Sequence, residues 1–231
     1  YGEFSYLSEY SEANGLERKT PLWTSGIYIG QPSYFWIGVP SQLASLHSIL
    51  QLGFDQYVGY FFLLSLGIYL CMLVMGVPPP LAIIGGIALA LSTNNIVLYQ
   101  AGHMMKIGSI MYAGFILAGT YLITIKQRYL VGIALYALGF SLSIYMHHIQ
   151  MIYYIYMCLV LFGLIYAVHY IREKEFSRLS KVFFAVLAGS LLGIGPNVAK
   201  LWTTYELSQE SIRGPNIIEA QVAPSVDSNT P

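Results

Sequence analysis

Long apolar runs separated by short polar links dominate the chain from residue 57 onward. A helix needs about 20 apolar residues to cross the hydrocarbon core of a membrane. Stretches of about this length recur, and they contain Gly and Pro at a frequency that membrane helices tolerate. The six stretches are 57–76, 80–100, 107–125, 129–146, 150–171 and 182–202. The pattern therefore predicts an all-α polytopic membrane protein with about six transmembrane helices.

The first 56 residues follow a different pattern, with many polar side chains and more acidic than basic ones. Within them, the apolar residues of 41–50 recur at helical spacing, but this stretch is too short to span a membrane. We predict an extracytoplasmic loop over 1–56 that carries an interfacial or re-entrant helix. The transmembrane domain then covers 57–202, and 203–231 forms an extracytoplasmic segment that is partly disordered.

The composition favours the same class of protein. Of the 231 residues, 56% are hydrophobic and only 10% are charged, with a mean hydropathy of +0.59. A soluble domain of this size carries more charge. The 11 basic and 11 acidic side chains cancel, so no net charge predicts a nucleic-acid partner. Cys71 and Cys158 fall inside apolar runs, which favours lipid- or core-facing residues over a disulfide or a metal pair.

Basic residues in two links set the predicted orientation. Links 126–128 and 172–181 together hold six Lys and Arg residues. Because Lys and Arg close to span ends stay on the cytoplasmic side, both links are predicted to lie inside. Four other segments then share the outer face: the N-terminal loop, the turn around 101–106, the turn 147–154 and the segment 203–214.

The outer turn "AGHMMK" carries His103 and Lys106, three residues apart. On a helical turn the two side chains face the same way, and together they form a candidate anion site. The alternative is a Lys that reaches to the membrane surface and a His that caps the following helix. For an isolated pair, this second interpretation is the more common one.

The next outer turn, "HHIQMIYY", adds His148 and Gln150 as candidate binding residues. Adjacent His147 and His148 point to different faces of a helix, which makes them poor ligands for one metal ion. We therefore expect one inward-facing His and no zinc site.

Polar groups near the last span add further candidates. Glu206 and Arg213 either bind a ligand or form an exposed ion pair of little energetic value. Pro196 and Asn197 interrupt the helix, which is tolerated where the backbone lines a cavity. Asn94 and Asn95 lie in the outer half of the second span, where amides normally face the bundle.

Aromatic residues in the first loop, among them Trp23 and Tyr34, allow two interpretations. They form an interfacial aromatic belt, or they wall a sugar or a lipid headgroup, because their rings stack on flat faces and offer a polar edge. The chain has 20 Tyr residues, so the belt is favoured for any single Tyr.

Four motifs in this order resemble the YfhO-like family of bacterial membrane proteins. They are "PLWTSGIYIGQPSY", "AGHMMK", "HHIQMIYY" and "PNVAKLWTTYELSQESIRG". The matching residues are Tyr28, Gly30, Pro32, Gly102, His103, Lys106, His148, Gln150, Tyr153, Tyr154, Thr204, Glu206, Arg213 and Gly214. Leu207 stands where the family has Tyr. The resemblance extends to about residue 214, and the tail beyond it does not match.

The family is similar to the GT-C class of polytopic glycosyltransferases, which take a sugar from a polyprenyl-phosphate carrier at the outer membrane face. The resemblance implies a bacterial cytoplasmic membrane protein and a carboxylate base in the first outer loop, for which the candidates are Glu3, Glu9 and Glu12. It implies substrate-binding roles for Trp23, Tyr34, His103, Lys106, His148, Gln150, Glu206 and Arg213. Family members are longer, so we expect an N-terminal portion that lacks the first span.

Two function classes follow. The chain is a GT-C-type glycosyltransferase or its N-terminal part, with membrane lipid and a polyprenyl-phosphate sugar as partners. Alternatively, it is a non-catalytic membrane subunit that keeps a GT-C-like scaffold and docks other subunits or binds lipid. A transporter is disfavoured, because the spans hold almost no ionisable residues at mid-depth. The sequence predicts no metal site and identifies no cofactor.

Overall fold

The computed structural model describes residues 23–24, 31–32 and 42–210, and the chain forms two compact units, 1–52 and 53–231. In the first unit, strand β1 (Trp23–Thr24) pairs antiparallel with β2 (Gln31–Pro32), with Trp23 opposite Pro32. Helix α1 (Gln42–Leu50) follows. The helix predicted over 41–50 is thus present, and its interfacial location stays a prediction.

The second unit is helical throughout its described part. Its helices are α2 (Gln56–Met75), α3 (Pro79–Ala90), α4 (Thr93–Gln100), α5 (Met104–Ile110), α6 (Ala113–Thr124), α7 (Tyr129–Tyr145), α8 (Ile149–Arg172), α9 (Phe176–Ile194) and α10 (Val198–Glu210). A short 3₁₀ turn, Gly195–Asn197, separates the last two.

Five helical segments in the described part of the chain are long and apolar enough to cross a membrane. They are Gln56–Met75, Pro79–Gln100, Met104–Thr124, Ile149–Arg172 and Phe176–Glu206. The protein is therefore a multi-pass membrane protein by the length and composition of its helices. Of the six predicted spans, 129–146 differs, because α7 has only 17 residues.

The helix boundaries have local causes. Helix α2 begins after Asp55, whose carboxylate accepts a hydrogen bond from the Tyr57 backbone N–H at 3.1 Å. It ends at Gly76, whose φ of 94° is the left-handed conformation that closes many helices. Helix α3 then starts with Pro79, which suits a first helical turn because its missing N–H has no helical partner there.

Helices α6 and α7 form the centre of the bundle, with α2 against α6 and α9 against α7. Gly114 of α6 lies directly on the backbone of Gly67 in α2, so a side chain at Gly114 would force the helices apart. Such contacts are typical of membrane helices, which gain packing energy from close backbone approach. The central buried cluster contains Ile116, Ile123, Tyr136, Phe140, Ile144, Ile152 and Ala185.

Helix α8 differs from this central pair, because only 6% of its most apolar window is buried within the described chain, against 78% for Met104–Thr124. It is attached by a few specific contacts. The Tyr156 hydroxyl lies 2.6 Å from the hydroxyl of Tyr136, which also lies 3.0 Å from Ser190 Oγ. These hydroxyls satisfy one another inside an apolar environment.

Three predicted spans are interrupted rather than continuous, and the interruption of 182–202 at Gly195–Asn197 is the one that the sequence predicted. The stretch 80–100 breaks at Leu91–Ser92, where the Asn95 amide donates to the carbonyls of Leu89 and Ala90 at 2.9 and 3.3 Å. The stretch 107–125 breaks at residues 111–112. The expectation that both amides of the pair face the bundle is right for buried Asn95 and wrong for Asn94, which is exposed.

Candidate functional site

Three breaks between helices meet at one end of the second unit, which we call the histidine end. They are the turn 101–103, the turn 146–148 and the 3₁₀ turn Gly195–Asn197. The opposite end, which we call the basic-link end, contains the links 125–128 and 173–175. There Gln127 Nε2 donates to the Thr124 carbonyl at 2.8 Å and to the Tyr170 hydroxyl at 3.1 Å, so both basic links lie at the same end.

A pair of serines holds the first two turns of the histidine end together. Ser143 Oγ on α7 donates to the Ser109 carbonyl on α5 at 2.7 Å, and both residues are fully buried. Ser109 Oγ in turn accepts the backbone N–H of His148 at 3.3 Å. Because Lys106 lies one helical turn before Ser109, this contact places His148 beside the Lys106 turn.

His103, Lys106 and His148 form the first part of the candidate site. Burial lowers the pKa of His148, and the positive charges of Lys106 and His103 lower it further. The Nδ1 atom of His148 is buried and has no hydrogen-bond partner among the described residues. Lys106 is half-buried and makes no ion pair or hydrogen bond through its side chain within the described chain. Burial and the neighbouring positive charges both favour the neutral form of the His148 imidazole.

Lys200 and His147 form the second part. Lys200 Nζ donates to the Tyr145 carbonyl at 2.7 Å and lies 4.8 Å from the centre of the Tyr145 ring, a cation–π distance. Burial lowers the pKa of His147 to about 4, with a smaller contribution from the charge of Lys200. His147 has a φ of 64°, a left-handed conformation that His adopts more often than most residues.

The break at Pro196 is stabilised from within the bundle. Asn197 is only 2% exposed, and its amide donates to the Ser141 carbonyl at 2.9 Å, to Ser141 Oγ at 3.2 Å and to the Gly193 carbonyl at 3.2 Å. The contact of Ser141 with Asn197 is one of three polar contacts between α7 and the segment 190–200. The other two are Tyr136–Ser190 and Tyr145–Lys200. The freed carbonyl near the break is thus satisfied by an amide rather than exposed to a cavity.

The histidine end holds positive charge without a paired carboxylate among the described residues. Glu206 is exposed and accepts a hydrogen bond from Trp202 Nε1 at 2.7 Å, while Asp55 accepts the backbone N–H of Tyr57. The one ion pair in the described chain, Arg178–Glu175 at 2.8 Å, lies at the basic-link end. Chemically, the Lys106 ammonium can form a charge-assisted hydrogen bond with an anion.

Of the sequence-predicted binding residues, the structure brings His103, Lys106 and His148 together. Gln150 is exposed, and its amide donates to the Tyr154 hydroxyl at 2.7 Å on the same helix. No ion pair or hydrogen bond in the described chain links Glu206 to the three. Trp23 belongs to the first unit. The other predicted site residues, Glu3, Glu9, Glu12, Tyr34 and Arg213, lie outside the described residues.

The capping role considered for His103 is wrong in one respect. His103 does occupy the position before α5, but its side chain makes no capping hydrogen bond, and it is exposed. Its imidazole therefore stays available to a ligand at this end.

Sequence reasoning placed Lys200 near a span end on the same side as Lys106, but it did not name Ser109, Ser143, Tyr145 or Lys200 as site residues. The two serines had a detectable signal, since hydroxyls inside apolar spans commonly bond across helices. The acceptor at Tyr145 had no signal in the sequence, because Lys200 donates to its backbone carbonyl and every residue has one.

A metal centre is not formed by the described residues, which contain no group of three or more His, Cys, Asp or Glu side chains within reach of one ion. Comparisons of the chain with models of known protein families, with curated protein sequences and with solved structures gave no match.

Proposed function

We propose that the chain is a GT-C-type glycosyltransferase, or the N-terminal part of one, with six membrane-spanning helices in a bacterial cytoplasmic membrane. In this proposal the basic-link end faces the cytoplasm, since its links carry Lys and Arg beside the spans. The histidine end then faces outward and binds the phosphate of a polyprenyl-phosphate sugar carrier.

The observation that carries this proposal is the cluster of His103, Lys106 and His148 without a described acidic partner. A half-buried ammonium at a membrane rim interacts strongly with an anion, because the local dielectric constant is lower than in water. Lys106 supplies a point charge to a phosphate oxygen. His148 Nδ1 has no described hydrogen-bond partner, so it can bond a ligand hydroxyl as an acceptor or, when protonated, a phosphate as a donor.

The base, the sugar-stacking residues and a second phosphate ligand of the proposed transferase are residues outside the cluster. Transfer of a sugar to a hydroxyl acceptor requires a base that removes the acceptor proton while the carrier phosphate leaves. Glu3, Glu9 and Glu12 are the proposed candidates for the base, and Trp23 and Tyr34 are the candidates for stacking on the sugar. Arg213 is proposed as a second, bidentate phosphate ligand.

The test measures binding of a fluorescent polyprenyl-phosphate analogue to the purified chain in nanodiscs of neutral lipid. Lys106→Gln is expected to weaken binding by at least about tenfold, as a charge-assisted hydrogen bond contributes about 1.5–3 kcal/mol. Arg172→Gln, which removes an exposed charge at the opposite end, serves as the matched control and is expected to change nothing.

Equal losses in the two variants would show bulk electrostatic attraction, and unchanged binding in Lys106→Gln would remove the carrier site. The alternative function is a non-catalytic subunit with a GT-C-like scaffold. A transfer assay with radiolabelled carrier-linked sugar distinguishes this subunit from a glycosyltransferase. Binding through Lys106 without any transfer by the full-length protein would favour the subunit.

A further inference from the structure

A second candidate site lies at the basic-link end, away from the histidine cluster. A groove of about 370 Å³ runs between α7 and α9, lined by Tyr129, Ile133, Ser180, Lys181, Phe184 and Ala185. This volume is within the range of roughly 300–1,000 Å³ that ligand sites occupy. No part of the proposed carrier site contributes to it.

The groove is apolar along its length and polar at its mouth. Ile133, Phe184 and Ala185 form the apolar wall, and Phe184 is 64% exposed within the chain. Lys181, Ser180 and Tyr129 form the mouth. Tyr129 donates its hydroxyl hydrogen bond to Gln127 Oε1, and its ring packs against the central buried cluster.

Lys181 supplies the positive charge of the groove. Its side chain is exposed and makes no hydrogen bond or ion pair with any residue that the structure describes. Arg178, one helical turn away, is instead paired with Glu175 at 2.8 Å. The charge that remains available at the mouth is therefore the ammonium of Lys181.

The lengths of the two helices place this charge near the lipid headgroups. Helix α7 has 17 residues, about 25 Å at 1.5 Å per residue, which is shorter than a hydrocarbon core of about 30 Å. Lys181 lies about one and a half turns inside the start of α9, level with the first turn of α7 that lines the same groove. A long Lys side chain at this depth reaches its ammonium toward the membrane surface.

We propose that this groove binds an anionic phospholipid of the leaflet that faces the basic-link end. The phosphodiester lies against Lys181, since the Ser180 hydroxyl donates to the Ser177 carbonyl at 3.0 Å. One acyl chain lies along Phe184 and Ile133. Charge complementarity decides the occupant: links 126–128 and 172–181 hold six Lys and Arg residues against two Glu residues. A neutral apolar helix of a partner would leave the Lys181 ammonium unpaired beside it.

Native mass spectrometry of the detergent-purified chain tests the site by titration with phosphatidylglycerol and with phosphatidylcholine of identical acyl chains. We expect tighter binding of the first phosphatidylglycerol molecule. Lys181→Gln is expected to weaken that step by about tenfold and to leave phosphatidylcholine binding unchanged. Lys126→Gln removes the same charge from the same end but not from the groove, and is expected to have an effect below twofold.

A second variant tests the apolar wall. Phe184→Ala removes an exposed ring, so it does not endanger the fold, and is expected to weaken binding of both lipids to a similar extent. Equal affinities for the two lipids, or equal losses in Lys181→Gln and Lys126→Gln, would overturn the proposal in favour of a diffuse basic surface.

Discussion

Two cations at opposite ends of the helical unit, Arg178 and Lys200, are held in different ways. At the basic-link end, Arg178 pairs with Glu175, and its side chain is 55% exposed. At the histidine end, Lys200 is half-buried, and its ammonium is held by a backbone carbonyl and an aromatic ring rather than by a carboxylate. Lys106 has no described ion-pair partner at all.

The difference corresponds to two roles that charged residues have in membrane proteins: they fix the orientation of the chain in the membrane, or they bind a ligand. Exposed, paired charges contribute little to stability, and their role at a membrane surface is to fix the side on which a link stays. Charges held without a counter-ion cost desolvation energy that a passive surface does not need. Such an arrangement is typical of ligand sites, where the ligand supplies the missing charge.

The largest expected difference between the ends concerns buried amides. Asn197→Ala removes a buried amide that donates to the Ser141 carbonyl, to Ser141 Oγ and to the Gly193 carbonyl. We expect a loss of about 2–3 kcal/mol in the free energy of unfolding. The matched control is Gln127→Ala at the basic-link end, where the amide is half-buried and the expected loss is about 1 kcal/mol.

Unfolding by sodium dodecyl sulfate in mixed micelles, followed by circular dichroism, measures both variants. Equal losses would mean that the break at Gly195–Asn197 does not depend on its contact with α7.

Smaller losses in the free energy of unfolding are expected from substitutions of Lys200 and Arg178. Lys200→Met keeps the length of the side chain but removes the donor to the Tyr145 carbonyl, and we expect a loss of about 1–2 kcal/mol. Arg178→Gln breaks only an exposed ion pair, so its effect is expected to stay below about 0.5 kcal/mol. The same unfolding assay applies, and a larger effect at Arg178 would reverse the comparison of the ends.

The smallest effect concerns pH. His147 has a pKa of about 4 in the folded chain against an ordinary value of 6.5, so the unfolded chain binds more protons between these values. Stability is therefore expected to fall as the pH drops from about 6.5 toward about 4, and this loss levels off below pH 4. The effect is modest, because His147 is half-buried and stays partly solvated.

His147→Asn tests this dependence and preserves the left-handed backbone, which Asn tolerates. Thermal unfolding from pH 4 to pH 7.5 is expected to show a flatter stability profile in the variant than in the native chain. Identical profiles would assign the acid sensitivity to other groups.

The sequence predicted the helices from apolar length alone, and α2 and α8 begin and end within one residue of their predicted bounds. It did not predict the break at Leu91–Ser92, because neither residue is a strong helix breaker. That break depends on the Asn95 amide, which bonds the freed carbonyls of α3 only in the folded chain. Apolar patterning thus predicts how long a span is, but not whether it is continuous.

Part of the candidate site was also predictable. The positions of His103, Lys106 and His148 at one end follow from alternating spans, since successive turns fall on alternate sides of a membrane. The contact of Lys200 with Tyr145 could not be predicted, because every residue of α7 has a carbonyl and only the packing of α10 selects one.

The three polar contacts between α7 and the last helices also bear on how the chain enters the membrane. Ser190, Asn197 and Lys200 each meet a residue 54 to 56 positions earlier in the chain, namely Tyr136, Ser141 and Tyr145. Synthesis runs from the N-terminus, so α7 is made before α9 and α10. The last helices therefore bring their polar groups into lipid when partners are already there, and their insertion depends on helices that precede them.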